Sequence, residues 1–257
     1  MSNYIRVKVK RQDGPNRKSY WETFEIDYRP GMNVISCLQV IQTNPVNVKG
    51  EKVAPVIWEA NCLEEVCGAC TMKVNGRVRQ SCTALIEEPN VTVTLEPMDK
   101  FPVIRDLWVD RTRMFETLKK VHAWTTVDGS YNLGLPPAQS DEVQQIEYKL
   151  STCMTCGCCV DACPQFTFMP TEKEFEKGFV GAYGIGQVAR FNTHPIGKID
   201  KDKRLDAMMG TGGIGECANA QVCVEVCPKE IPLLDAIARV QRQITKRMFT
   251  KTLGKGY

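Results

Sequence analysis

The chain has 257 residues, enough for one large domain or two ordinary ones, and is 43% hydrophobic and 25% charged, the balance of a soluble globular protein. A net charge of +3 is too small to argue for a nucleic-acid partner, and no apolar run approaches the ~20 residues that cross a bilayer. The start, M-S-N-Y-I-R-V-K-V-K, alternates and carries charge, which is unlike a signal peptide.

In chain order, I-R-V-K-V-K (5–10) and Y-W-E-T-F-E-I-D-Y (20–28) alternate with period two and read as strands, joined by the turn D-G-P-N (13–16). Met32 to Ile41 reads as a short helix with Val34, Leu38 and Ile41 on one side. T-M-K-V-N-G-R-V-R-Q (71–80) places Asn75-Gly76 between two alternating arms, the signal of a tight hairpin. V-T-V-T-L (91–95) closes the series as another strand. Hairpin, helix, cysteine loop, hairpin and closing strand is the order of a small β-grasp domain. Val103 to Val121 is expected to be one helix, with Ile104, Leu107, Trp108, Phe115 and Leu118 on a common face. G-L-P-P (134–137) reads as a linker, and Ser140 as the cap of a helix led by Asp141 and Glu142. The last helix starts after Pro232 and runs to about Phe249, with Leu233, Leu234, Ile237, Val240 and Ile244 as its apolar stripe. G-A-Y-G-I-G (181–186) and M-G-T-G-G-I-G (209–215) follow no strand signal and read as flexible connectors, not nucleotide loops. The expected class is α+β: a β-grasp domain over 1–105, then an all-α domain over 106–257 carrying both later cysteine groups.

Thirteen cysteines and only two histidines, His122 and His194, leave all-thiolate zinc or iron–sulfur clusters as the candidate metal chemistry. The chain is too large to need a disulfide framework. Cys62-x4-Cys67-x2-Cys70, followed by Cys82, is the plant-type [2Fe–2S] spacing. A zinc site would show two CxxC knuckles, and this group has one. Gly68 and Ala69 keep the loop small, so backbone N–H groups can turn toward the sulfurs.

Cys153-x2-Cys156-x2-Cys159-x3-Cys163-Pro164 is the bacterial ferredoxin run, whose fourth cysteine serves the other cluster in two-cluster ferredoxins. Cys217, Cys223, Cys227 and Pro228 repeat it 64 residues later, with Ala220 standing where the first copy has Cys156. The crossed wiring gives Cys153, Cys156, Cys159 and Cys227 to a [4Fe–4S] cluster. It leaves Cys163, Cys217 and Cys223 for the other. A methyl group cannot hold iron, so a [3Fe–4S] cluster is expected; a [4Fe–4S] cluster with water on its fourth iron is the other reading of the gap. The x2 spacing favours Cys159 over Cys158 as ligand, and Cys37 reads as a small buried helix residue. No nucleophile-and-base pair, flavin fingerprint or paired carboxylates stand out. Three one-electron centres in one chain read as a wire that needs partners at both ends.

With F-P-V-I-R-D-L-W-V-D (101–110), N-G-R-V-R-Q-S-C (75–82) and C-V-E-V-C-P-K-E-I-P (223–232), this cluster order resembles the iron–sulfur subunit of succinate dehydrogenase and fumarate reductase, respiratory complex II, over nearly the whole chain. The resemblance implies an electron-transfer subunit without catalytic residues of its own. A flavoprotein subunit would carry FAD and the dicarboxylate site of the tricarboxylic acid cycle step. Electrons would enter at the [2Fe–2S] cluster and leave from [3Fe–4S] to quinone at a membrane-anchor cytochrome b subunit, on the cytoplasmic face of a bacterial inner membrane. Fumarate reduction, the reverse direction, and a soluble ferredoxin-like carrier are the alternatives. P-Q-F-T-F-M-P (164–170) and Ala218 depart from the tryptophans and the histidine of ubiquinone-linked members. R-F-N-T-H-P-I-G-K (190–198) and R-L-D-A-M-M-G-T-G-G-I (204–214) are similar to menaquinone-linked members, which implies menaquinone as acceptor. Pro164, Phe168 and Ala218 are the candidates for lining the quinone site. Arg242, Lys246, Arg247, Lys251 and Lys255, with no acid among them, suit either an anionic bilayer surface or a solvated helix end.

Overall fold

The computed structural model describes residues 3–126 and 138–252. The 134–137 linker and Lys255 lie outside them. The described chain forms two compact units, one comprising residues 1–111 with Met154–Asp161, the other Thr112–Cys153 with residues 162–257.

In the first unit, β1 (Tyr4–Arg11) pairs antiparallel with β2 (Tyr20–Asp27), and α1 (Val34–Thr43) follows. The Asn33 side chain caps α1 by accepting from Ser36 N–H at 2.8 Å. β3 (Thr71–Val74) and β4 (Arg77–Gln80) meet at Asn75-Gly76, both with positive φ, the geometry the sequence demands of a two-residue hairpin. β5 (Val91–Glu96) runs parallel to β1 and antiparallel to β3, giving the order β2-β1-β5-β3-β4. Alternate residues Ile5, Val7 and Val9 face a core shared with Phe24, Val93, Leu95 and the α1 residues Val34, Leu38 and Ile41. Cys37 is buried on α1 as expected.

The single helix expected over Val103–Val121 does not form. Instead β6 (Val103–Arg105) and β7 (Trp108–Val109) make a small hairpin, and α2 (Thr112–Lys120) begins only after it. The cause is Asp106. It turns with φ 49° and carries a fully buried carboxylate. That carboxylate receives Arg11 Nε at 2.9 Å, Arg11 Nη2 at 3.2 Å, and the N–H groups of Gln12 and Ile57. Arg11 also meets Glu22 and the carbonyls of Ala54 and Pro55. A buried charge needs such partners, and meeting them here outweighs the helical apolar pattern. Phe115, expected on the inner face, is 58% exposed, and α2 buries Arg113, Met114 and Thr117 instead.

Residues 154–161, carrying α4 (Cys158–Asp161), pack into this first unit. Gly68, with φ +73°, lies so close that a Cβ there would sit 2.9 Å from both Cα and Cβ of Cys156. Asp161 accepts from Lys100 N–H at 3.0 Å.

Among the described residues, every element of the second unit is helical. After α2 come α3 (Asp141–Ser151), capped by Ser140 as its sequence indicates, and the short α5 (Glu172–Phe175). α6 (Gly181–Thr193), α7 (Lys201–Met209), α8 (Val222–Glu225) and α9 (Leu233–Thr252) follow. G-A-Y-G-I-G is not a connector but the buried start of α6. Gly184 packs against Thr117 and Gly186 against Leu233, so small residues let helices approach. Residues 210–213 are a connector, but a tight one: Gly212 has φ +71°, and its carbonyl accepts from Val180 N–H at 2.8 Å. Leu233, Ile237, Val240 and Ile244 bury the stripe of α9. Arg204, fully buried on α7, donates to the carbonyls of His122, Trp124 and Gly197.

Two substitutions test these constraints by equilibrium unfolding in guanidinium. Asp106→Ala leaves Arg11 buried with part of its partner set and is expected to cost about 3 kcal/mol; a loss below about 1 kcal/mol would mean the pair does not hold the hairpin. Gly68→Ala meets main chain and carries a positive φ, so a cost above about 1 kcal/mol is expected, and an unchanged midpoint would contradict the close contact.

Candidate iron–sulfur sites

Cys62 and Cys67 sit in the loop before β3, Cys70 at its end, and Cys82 just after β4. Leu63 (φ 60°) and Glu65 (φ 56°) are left-handed, and this alternation turns successive N–H groups to one side. Glu64, Val66 and Cys67 N–H donate to Cys62 Sγ at 3.4, 3.3 and 3.3 Å, and Ala69 N–H donates to Cys67 Sγ at 3.4 Å. These donors, Glu64 N–H first, hold the Cys62 thiol down at about 7. Burial pushes the Cys70 thiol up to about 12, while the N–H groups of Cys82 and Ser81 oppose that rise. Asn33 Nδ2 donates to the Cys82 carbonyl at 2.8 Å, tying the α1 cap to the fourth cysteine. Arg111 clamps the loop through the carbonyls of Gly68 and Ala69, at 2.7 and 3.4 Å, and pairs with Glu59.

The chain therefore presents sulfurs with peptide N–H groups aimed at them, the surroundings an anionic thiolate-bound [2Fe–2S] group requires. Ser81 Oγ, fully buried beside Cys82 in sequence, has no hydrogen-bond partner, a polar atom left over where those sulfurs gather. Among the described residues no three His, Cys, Asp or Glu side chains converge on a single metal ion.

The two ferredoxin-type runs share more than cysteine spacing. Thr155 (φ 53°) and Gly157 (φ 94°) are left-handed in the first run, and Asn219 (φ 55°) and Gln221 (φ 64°), 64 residues on, are left-handed in the second. Cys156, Cys158 and Cys159 lie together in the first unit, while Cys153 and Cys227 belong to the second. Cys158 is wholly buried. Its thiol is held up by a hydrogen bond with Cys156 and by burial, and the same bond draws Cys156 down.

Cys163, Cys217 and Cys223 line one pocket. Burial raises the Cys223 thiol, and the neighbouring Cys163 and Cys217 raise it further. Ala218 and Ala220 line the same pocket; Phe179, Ile185 and Ile237 form its apolar wall. Of the quinone-lining candidates only Ala218 is there. Phe168 is 50% exposed, and neither it nor Pro164 lines the pocket, whereas Gln165 does. The turn after Cys163 is held by buried Arg113, whose guanidinium stacks 3.7 Å over Phe166 and donates to the Thr167 carbonyl. Arg247, expected in a free basic face, is bound to Asp202 at 2.6 Å and Asp206 at 2.7 Å.

Sequence reasoning passed over Gln80, Arg111 and Arg113. Gln80 had a signal: period two puts it on the face of buried Val78, where a polar side chain needs a reason. The arginines had none, because their acceptors, backbone carbonyls and for Arg111 also Glu59, are distant in sequence.

Comparison with known proteins finds cluster-binding families over these stretches. A model described as "2Fe-2S iron-sulfur cluster binding domain" matches residues 6–116, and one described as "4Fe-4S dicluster domain" matches residues 152–232. The chain is 50% identical to the succinate dehydrogenase iron-sulfur subunit of Bacillus subtilis, over 97% of this chain and 96% of that one. It is 27% identical to the fumarate reductase iron-sulfur subunit of Wolinella succinogenes, over 95% and 98%. A chain of the Mycobacterium smegmatis Sdh1 complex in the apo form superposes with a TM-score of 0.76 at 22% identity, covering 97% of this chain and 98% of that one. With its clusters' domains matched in order and its length covered end to end, the chain belongs to the succinate dehydrogenase/fumarate reductase iron–sulfur subunit family, the electron-transfer subunits of that oxidoreductase.

Proposed function

We propose that this chain carries electrons from a flavoprotein subunit to membrane quinone in the direction of succinate oxidation, through [2Fe–2S], [4Fe–4S] and [3Fe–4S] clusters. The ligand sets are Cys62, Cys67, Cys70 and Cys82; Cys153, Cys156, Cys159 and Cys227; and Cys163, Cys217 and Cys223. When bound, the clusters supply one-electron redox chemistry. The protein's part is to space and shield them and to set hydrogen bonds to their sulfurs. The fold in this reading is a β-grasp ferredoxin-type domain reaching about residue 111, followed by a helical dicluster domain from Thr112 on.

The observation that carries the reading is the one pocket lined by Cys163, Cys217 and Cys223 with Ala220 in its wall. Position 220 is where the repeat elsewhere supplies Cys156, and the left-handed residues flanking each position match. Three sulfurs around one space, with a methyl group at the fourth corner, suit a three-iron cluster. The [4Fe–4S] set rests on the spacing and the crossed fourth cysteine.

FAD on the flavoprotein and a cytochrome b anchor on the cytoplasmic face of the inner membrane follow from the relatives' roles. No described helix is long and apolar enough to cross a membrane itself. Menaquinone is the proposed acceptor, supported by Ala218 in the pocket and by the stretches over 190–198 and 204–214. The 27% identical fumarate reductase subunit supports the reverse reaction as the second reading.

EPR of the purified complex tests the exit cluster. The oxidised complex is expected to show a three-iron signal, since an oxidised [4Fe–4S] cluster is silent. Ala220→Cys is expected to diminish that signal several-fold and slow quinone reduction. An undiminished signal in this variant would mean that residue 220 does not face the open corner.

A further inference from the structure

One buried side chain joins a sulfur of the first cysteine group to the cysteine that spacing leaves over. Gln80 is 0% exposed. The Cys70 thiol donates to its Oε1 at 3.4 Å. Its Nε2 donates to Thr71 Oγ1 at 2.7 Å and to Cys158 Sγ at 3.6 Å. Thr71 in turn donates to the Gly68 carbonyl at 2.9 Å, which also receives Arg111 Nη1 at 2.7 Å.

This arrangement suits a protonated Cys70. A cysteine bound to iron has no proton and only accepts hydrogen bonds. The amide oxygen would then face an anionic sulfur in a dry site, an unfavourable contact between two acceptors. Turning the amide over exchanges its two ends within the same space. Nε2–H then points at Cys70 Sγ, and Oε1 faces Thr71 and Cys158. The Thr71 hydroxyl rotates to donate to Oε1. The Gly68 carbonyl it leaves stays satisfied by Arg111, and the Cys158 thiol keeps its hydrogen bond to Cys156. Each group in the network keeps a partner after the exchange.

We propose that Gln80 is a tuning residue of the [2Fe–2S] site, turned over in the loaded protein so that its amide N–H is hydrogen-bonded to Cys70 Sγ and raises that cluster's potential. A donor on a ligand sulfur stabilises the more negative, reduced cluster, so the direction follows from charge. Leucine, of similar bulk but without a donor, removes the bond and leaves the cavity filled. The inference rests on Cys70 being a ligand of that cluster.

The test is an EPR-monitored redox titration of the intact complex. Gln80→Leu is expected to retain the reduced [2Fe–2S] signal and to move its midpoint to a more negative potential, with the [3Fe–4S] midpoint unmoved. Gln80→Met, unbranched and able to follow the glutamine path, is expected to do the same, and serves where the leucine variant assembles poorly. A midpoint unchanged in both variants would overturn the proposal, leaving Gln80 a packing residue. A midpoint moved positive would also overturn it, because the oxygen would then face the sulfur. Cys70→Ser separates the underlying assignment: an altered or lost [2Fe–2S] signal supports Cys70 as ligand, whereas an unaltered one removes the ligand reading and the proposal with it.

Discussion

Thiolates crowded together repel one another unless something positive faces them, and here the peptide N–H does so. Left-handed residues set one apart, Leu63 and Glu65, turn three N–H groups onto Cys62 Sγ. The same spacing recurs at Thr155 and Gly157 and again at Asn219 and Gln221. Six positive φ values, only one of them at glycine, are costly for the chain to hold without a use for the geometry. The sheet, the α1 cap on Cys82 and the helical walls around Cys163, Cys217 and Cys223 keep those loops in that shape.

A second economy of charge runs beneath the loops. Arg11, Arg113 and Arg204 are almost fully buried, yet they are treated differently. Arg11 is met by carboxylates, Asp106 above all. Arg204 is met by carbonyls and Asn192, and Arg113 by carbonyls and a ring. Burial lowers the Arg113 guanidinium to about 10, still protonated at neutral pH. Such cations bind chain segments that hydrophobic packing alone would leave undirected, among them the turn after Cys163.

These contrasts explain what could be read from sequence. The strands, the Asn75-Gly76 hairpin, the caps at Ser140 and the stripe of α9 depend on neighbours a few residues away, and their patterns are visible locally. That Cys163, Cys217 and Cys223 line one pocket was legible because cysteine spacing is itself a record of geometry. The Val103–Val121 helix failed because its apolar period is real but Asp106 answers to Arg11, 95 residues away. G-A-Y-G-I-G was misread because glycine marks both loose chain and close helix contact; Thr117 and Leu233 decide which. The quinone candidates Pro164 and Phe168 came from the family resemblance, and they lie outside the pocket that Ala218 lines.

At Gly68 the loop of the first cysteine group touches the main chain of Cys156 with no side chain between them. Electron tunnelling falls exponentially with the gap to be crossed. A gap closed by backbone against backbone cannot be lengthened by a rotamer change or by ordinary drift in the surrounding core. With the ligand sets proposed above, the speed of passage between those two clusters would be insulated from most substitutions elsewhere in the chain, and the potentials would remain free to vary under separate control.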